Sequence, residues 1–345
     1  MFEIDYLPVG DGARSGDAIA MRFTRPDNGH LAHVIIDGGF QDDGDDLVEH
    51  VKGWYGTSNI DLVILSHPDG DHIGGLGTVL RKLSVNALAA HDLAAHGGSD
   101  LPAAAAVTEL RELAVAEGTA LYEPFQGLRA FGGALLVAGP SEEFYKARVT
   151  EELVEQRRGA RAAAVQRGVL AEGLARLSAR ALQVFPVEIP FEDAGGTNPR
   201  NNSSAIIDVQ FAEQRFLFTG DAGVPALDAA LDFLEVEGRT LRFPTFVDVP
   251  HHGSRHNGSS RLLDRLLGPK TNEDRGYAYI SIAQEAARDP RYPSPRITNA
   301  FGRRGYPSYV TAGQPIYLSG EDAPTRNWTP LTPLPPREES IDDRP

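Results

Sequence analysis

Ser66-His67-Pro68-Asp69-Gly70-Asp71-His72-Ile73-Gly74-Gly75 is the stretch on which the reading of this chain turns. Six consecutive positions, His67 to His72, carry two imidazoles and two carboxylates, broken only by Pro68 and Gly70. The preceding Ile60-Asp61-Leu62-Val63-Ile64-Leu65 is short, apolar and β-branched, as a buried strand requires. Ligand-type side chains therefore leave the end of a strand together and enter a loop. Gly70, Gly74 and Gly75 give that loop access to the positive φ angles of a tight turn. Metal-dependent chemistry is the expectation.

Two further places repeat the pattern. Among ten histidines, His251 and His252 form a second pair in Val249-Pro250-His251-His252-Gly253-Ser254, again just past a strand-like segment. Between the clusters, Phe218-Thr219-Gly220-Asp221 delivers a carboxylate in the same way. Three strand ends supplying His or Asp are what a two-ion site requires, with ions roughly 3.5–4 Å apart sharing a carboxylate. Cysteine is absent, so any metal must rest on His, Asp or Glu.

The 345 residues can bury a large core, as one domain or two small ones. No basic-then-apolar leader and no apolar run of about 18 residues is present, so a cytoplasmic protein without a membrane span is expected. The formal net charge of −15 argues against a broad basic footprint for nucleic acid. Two divalent ions would, however, add about four positive charges where a phosphate must sit.

Along the chain, strands are expected at Phe2–Leu7, Ala18–Phe23, His33–Asp37, Ile60–Leu65, Thr119–Tyr122 and Ala134–Val137. Helices are expected at about Asp45–Trp54, Leu76–Leu83 and Pro102–Ala116. Residues 141–181 read as a helical insertion, with Ser141 as N-cap. Its Arg157, Arg158, Arg161, Arg167, Arg176 and Arg180 face only Glu172, which makes either a solvated helix face or a basic arm for a polyanion or an acidic partner. A hairpin around Ala212-Glu213-Gln214, a helix at Ala226–Leu234 and strands at Thr245–Val249 and Tyr277–Ile282 follow. Residues 1–319 are taken as the domain, and 320–345, rich in Pro, Glu and Asp, as a poorly ordered tail.

His67-x-Asp69-x-Asp71-His72-x-Gly74-Gly75 resembles the metallo-β-lactamase superfamily signature, with Asp69 where most members carry a second His. With Thr219-Gly220-Asp221 and His251-His252-Gly253-Ser254, the chain resembles the hydrolase domain of the ComEC type. Val9-Gly10 through Gly16-Asp17-Ala18, Ile35-Ile36-Asp37-Gly38-Gly39 and Asn201-Asn202-Ser203-Ser204 extend the resemblance discontinuously over about residues 1–315. It implies an α/β fold, a four-layer αββα sandwich with the metals at one edge. His67, Asp69 and Asp221 would hold one ion. Asp71, His72, Asp221 and one of the 251/252 pair, His251 by its place first after the strand, would hold the other. His252 would contact substrate phosphate or orient a ligand. Asp71 and His252 are the candidate catalytic residues, and Asn201, Ser204, Ser254 and Arg255 the candidate substrate contacts.

The departures are informative. Many members supply another His between the first motif and the bridging Asp. Only His91 and His96 are available here, and a surface position is the simpler expectation for each. The His-Pro that the ComEC type usually carries near its last strand is replaced by Arg291-Tyr292-Pro293. Carboxylate in place of imidazole at Asp69 moves metal preference from Zn²⁺ toward Mn²⁺, with two divalent ions of either kind compatible. The implied activity is phosphodiester hydrolysis, most plausibly of nucleic acid, by attack of a metal-bound hydroxide. Arg255, Arg261 and Arg265 would line a phosphate path or belong to a helix surface. The alternatives are a small-molecule hydrolase acting on a cyclic nucleotide, phosphonate or lactone, and a regulatory subunit with a degenerate site.

Overall fold

The computed structural model describes residues 1–10, 12–166, 182–183, 188, 190–192, 196–328 and 330–340. Two seven-stranded sheets organise them. The first runs, in spatial order, Ile316–Ser319, Phe2–Tyr6, Ala18–Thr24, Leu31–Gly38, Leu62–Ile64, Ala87–Ala89 and Ala120–Tyr122. The second runs Ser308–Val310, Tyr277–Ile280, Phe246–Asp248, Gln214–Phe218, Ile206–Phe211, Leu135–Gly139 and Arg129–Ala130. Each sheet mixes antiparallel and parallel pairs: Leu31–Gly38 is antiparallel to Ala18–Thr24 but parallel to Leu62–Ile64.

The period-two alternation of the strands creates the layers. Val34 and Ile36 point one way and join Ile4, Tyr6, Phe216, Phe218, Phe246 and Tyr279 between the sheets. Ile35 points the other way, with Val63 and Leu88, onto Leu47, Leu76, Val79 and Leu110 of the covering helices Asp43–His50, Leu76–Lys82 and Ala104–Ala116. In the second sheet Leu217, between Phe216 and Phe218, packs outward with Val247 and Ile280 under Leu231, Leu262 and Phe301. Those three residues lie on helices Val224–Val236, Ser260–Leu267 and Pro295–Gly302. Three separate cores thus give helix, sheet, sheet and helix, the expected αββα order. Each buried Leu, Ile, Val or Phe contributes about 1.5–3 kcal/mol.

The helix Glu142–Gln166 realises the described part of the insertion, and Arg157 and Arg158 are exposed on it. The side chains of Arg161, Arg167, Arg176, Arg180 and Glu172 lie outside the described residues. The expectation of a poorly ordered tail gives way over the described part of 320–340. There Arg326 is 5% exposed and donates to Glu3 and Asp5, both fully buried on the outer face of the first sheet. Leu334 N donates to Ser308 O, and Glu339–Ser340 pairs with Leu182–Gln183. Buried carboxylates at Glu3 and Asp5 need a cation, and this segment supplies it.

Candidate metal centre

All three strand ends read from the sequence open on the same edge of the sandwich. His67 follows Leu62–Ile64, Asp221 follows Gln214–Phe218, and His251 and His252 follow Phe246–Asp248. Asp221 lies at the centre with its two oxygens facing opposite ways. Oδ2 is 3.6 Å from His67 Nε2 and 3.4 Å from His251 Nε2. Oδ1 is 3.7 Å from both His72 Nε2 and His252 Nε2. Asp69 Oδ2 closes the first side, 3.7 Å from His67 Nε2. Asp17, His72, Asp221 and His252 each bring a ligand-type atom into a group whose members all lie within 4.8 Å of one another.

The scaffold behind these groups fixes the imidazole tautomers. Asp37 Oδ2 accepts from His72 Nδ1 at 2.8 Å and from Ser66 Oγ at 2.5 Å, and Asp37 Oδ1 accepts from Ser66 N at 2.7 Å. Ser66 Oγ, its single proton given to Asp37, accepts from His67 Nδ1 at 3.1 Å. One buried carboxylate therefore occupies the Nδ1 side of both His67 and His72 and leaves Nε2 as the ring nitrogen aimed at Asp221. His251 is oriented alike: Nδ1 meets Asn257 Oδ1 at 3.1 Å, while Asn257 Nδ2 donates to the Asp221 and Ala222 carbonyls. Asp17 stands on the other edge of the rings, 3.6 Å from His252 Nδ1 and 3.8 Å from His72 Nδ1. That places it behind the imidazoles rather than among their Nε2 atoms. Asp248 braces the turn carrying Asp221 by accepting from Thr219 N and Gly220 N at 3.1 Å.

Three of these residues hold unusual backbone. Asp37, His251 and His252 have φ of 58°, 51° and 53°. Left-handed conformations cost non-glycine residues about 1–3 kcal/mol and persist where surrounding structure imposes them.

The electrostatics suit a cation. Burial raises the Asp221 carboxyl, but His252, His251, His72 and His67 around it hold it well below the usual carboxylate range. Burial pulls the His72 imidazole down, and Asp221, Asp37 and Asp17 override this and hold it well above its ordinary value. His252 is pushed down to about 3 by burial, so it is a neutral donor. Burial drives Asp248 up to about 7. His67 Nε2, His72 Nε2, His252 Nε2 and Asp221 Oδ1 are buried without any hydrogen-bond partner. Leaving four such atoms unpaired is costly. A nitrogen-and-carboxylate set of this kind fits a divalent ion.

The sequence-predicted residues divide into groups. His67, Asp69, His72, Asp221, His251 and His252 come together. His252, rather than His251, shares an Asp221 oxygen with His72, because the left-handed turn at 251–252 swings the two rings to opposite sides. Asp71 lines the adjoining cavity of about 270 Å³ with Arg14, Ser15, Asp69, Asn201, His251, His252 and Tyr292, but stands outside the tight group of four. Asn201 is part of the site, its Nδ2 donating to Asp221 Oδ2 at 3.2 Å. Ser204 is fully buried. Ser254 caps the next turn by accepting from His256 N, and Arg255 Nε donates to His256 Nε2.

His91 and His96 belong to a different cluster. His91 is buried rather than on the surface, between Phe125 and Tyr145, and His96 Nε2 pairs with Glu123 at 2.8 Å. Arg261 and Arg265 line no phosphate path, for Arg261 pairs with Asp228, and Arg265 with Asp228, Asp232 and Glu235. Asp17, Asp37, Asp248, Asn257 and Arg200 were not singled out as site residues. For the first two, the signal available is an Asp beside a Gly, just ahead of a strand at Asp17 and at the end of one at Asp37.

Residues 12–151 match the family model of the metallo-beta-lactamase superfamily. Over those residues the chain is similar to that family, and its four-layer arrangement of helices and sheets is consistent with the likeness. Among solved structures, the chain is similar to a metal-dependent hydrolase of the beta-lactamase superfamily, with TM-score 0.44 and 14% identity, over 93% of this chain and 100% of that one. It is also similar to a CmlA beta-hydroxylase variant, with TM-score 0.44 and 14% identity, over 92% and 53%. A third likeness is to the metallo-beta-lactamase from Hirschia baltica, with TM-score 0.35 and 13% identity, over 77% and 90%. No curated protein matches the chain. Among the described residues, no helix is long and apolar enough to cross a membrane.

Proposed function

We propose that this protein is a metal-dependent hydrolase that cleaves phosphodiester bonds. The observation that carries the reading is Asp221, whose two oxygens each face their own imidazole pair. His67, Asp69, Asp221 and His251 are proposed to hold one divalent ion, and His72, His252 and Asp221 the other, with Asp71 as the ligand or proton acceptor on the open side. Such ions lower the pKa of water and offset charge on an anionic oxygen. Around them, Asp37, Asn257 and Asp17 hold the rings, and Asn201 and Tyr292 offer hydrogen bonds toward the cavity.

A polynucleotide substrate is supported by the arm helix, where Arg157 and Arg158 stand exposed. That arm is the place we propose for contact with a polyanion or an acidic partner. A small diester is the second reading, favoured by the compact cavity and by the pairing of Arg261 and Arg265 to carboxylates.

The deciding experiment adds Mn²⁺ or Zn²⁺ to metal-stripped protein and follows labelled DNA beside bis(p-nitrophenyl) phosphate. Cleavage that needs metal and falls by about 100-fold or more in Asp221→Asn supports the hydrolase. Wild-type turnover by Asp221→Asn would end this reading. Turnover of the small diester alone selects the second substrate class.

A further inference from the structure

Asp69 is not free to act as an ordinary acidic ligand. Arg200, just ahead of the turn Asn201–Ser203, sends Nη1 to Asp69 Oδ1 at 2.6 Å. The same guanidinium donates through Nε to Glu152 Oε1 at 2.8 Å and through Nη2 to the same oxygen. Glu152 belongs to the arm helix Glu142–Gln166. An unbroken chain of charge-assisted bonds therefore joins the arm to a residue facing His67. Asp69 is split between two duties, Oδ1 to Arg200 and Oδ2 toward His67.

The two faces of Asp221 are consequently unequal in charge. On the His72 side, the rings are backed by Asp17 and Asp37, whose ionic partners are His72 and His252 themselves. On the His67 side, the one additional carboxylate, Asp69, is matched by a guanidinium. Where the resemblance would place a neutral imidazole, this chain carries a carboxylate paired with a cation, and Glu152 shares that cation from its far side. The His72 side is also the more compact, since the tight group of four falls there.

We propose that Arg200 is a charge-setting and positioning residue of the metal centre, making the ion on the His67 side the weaker and more exchangeable of two, with the arm helix tuning the difference through Glu152. The proposal rests on the reading of the site as a metal centre. Arg200 orients Asp69 Oδ2 toward the site and simultaneously opposes a divalent ion one carboxylate away. Orientation is one hydrogen bond, whereas the repulsion is between a unit charge and a double charge, so repulsion dominates. Discounted for the 28% exposure of the Arg200 side chain, it still corresponds to about tenfold or more in affinity. Glu152 draws part of the guanidinium's charge away from Asp69. Movement of the arm therefore changes how strongly the weaker ion is held.

The test is calorimetric titration of the metal-stripped full chain with Mn²⁺, with thermal melts of each variant to confirm folding. Wild type should show two unequal classes of site. Arg200→Gln should tighten the weaker class by about tenfold and leave the stronger class unchanged. Arg200→Lys, which keeps the charge and gives up the fork, should stay within about threefold of wild type. Glu152→Gln, which commits Arg200 more fully to Asp69, should weaken the weaker class. A weaker class that is unchanged or loosened in Arg200→Gln would overturn the proposal, reducing Arg200 to a prop for Asp69. Two equal classes in wild type would overturn it as well. A wild-type chain that takes up no ion would instead remove the metal-centre reading, and the proposal with it.

Discussion

Asp37→Asn isolates the scaffold of the site from its ligands. Asparagine tolerates the left-handed φ of 58° at this position, so the backbone is kept. Its amide oxygen still accepts from Ser66 N, as Asp37 Oδ1 does now at 2.7 Å. The other oxygen, which accepts from Ser66 Oγ and His72 Nδ1, becomes an NH₂. Ser66 recovers by turning its hydroxyl to accept. His72 has no such escape, because it keeps a bond to the amide only by moving its proton to Nε2, the nitrogen that faces Asp221. One charge-assisted bond is thus lost, worth about 1.5–3 kcal/mol. At about 1.4 kcal/mol per decade this is roughly 10–150-fold in affinity for a divalent ion. Loss of a buried partner to a metal-ligating histidine usually costs a similar 10–100-fold. The assay is competition for Zn²⁺ between metal-stripped protein and a chromophoric chelator, with a thermal melt to confirm folding. An affinity within about threefold of wild type, in a folded variant, would refute the claim that Asp37 sets the His72 tautomer.

Three other outcomes follow from the packing. Burial holds His91 at about 3, against about 6.5 in the unfolded chain. The unfolded state therefore takes up a proton below pH 6.5 that the folded state refuses, and stability drops with pH until about pH 3. Between pH 6.5 and 5 this one group removes about 1.6 kcal/mol, and His91→Gln should flatten that slope in urea titrations; parallel slopes would contradict it. Arg326→Ala leaves Glu3 and Asp5 buried with Arg22, His50 and the Tyr55 hydroxyl beside them, and should cost about 3–5 kcal/mol in urea unfolding, with a loss below about 1 counting against the strap. Gly75→Ala would place a methyl 2.1 Å from Gly38 O and 2.8 Å from the Gly44 backbone. It should destabilise by about 3 kcal/mol or more, and a wild-type melting temperature would show that the loop has room to spare.

The legible part of this protein is what short-range sequence encodes. Apolar runs ending in His or Asp marked the strand ends at Ser66, Thr219 and Val249, because a strand and the turn beyond it are neighbours in sequence. The layer order followed from alternation such as Val34-Ile35-Ile36. What sequence concealed depended on backbone handedness or on distant partners. Which of His251 and His252 faces His72 is decided by two positive φ angles that no composition announces. Arg200 meets Asp69 across 131 positions, so its role is invisible until the chain is folded. Arg261 and Arg265 looked like a phosphate path because Asp228, Asp232 and Glu235 lie on a separate helix. The segment after Gly320 looked disordered by composition, since nothing local says that Glu3 and Asp5 await its arginine.

That last contact sets an order of events in the making of the protein. Every ligand of the candidate centre has been synthesised once His252 leaves the ribosome. The strand Phe2–Tyr6, however, still lacks its outer neighbour Ile316–Ser319, and its two buried acids still lack Arg326. Until those residues emerge, the first sheet carries an open edge, and its two buried carboxylates have Arg22 and His50 but lack the guanidinium that bridges them. Pairings across more than 300 positions close late and slowly. The centre therefore gains its rigid support only once the residues through Arg326 are present, and a nascent chain stalled near Val310 holds all the chemistry with part of its foundation missing.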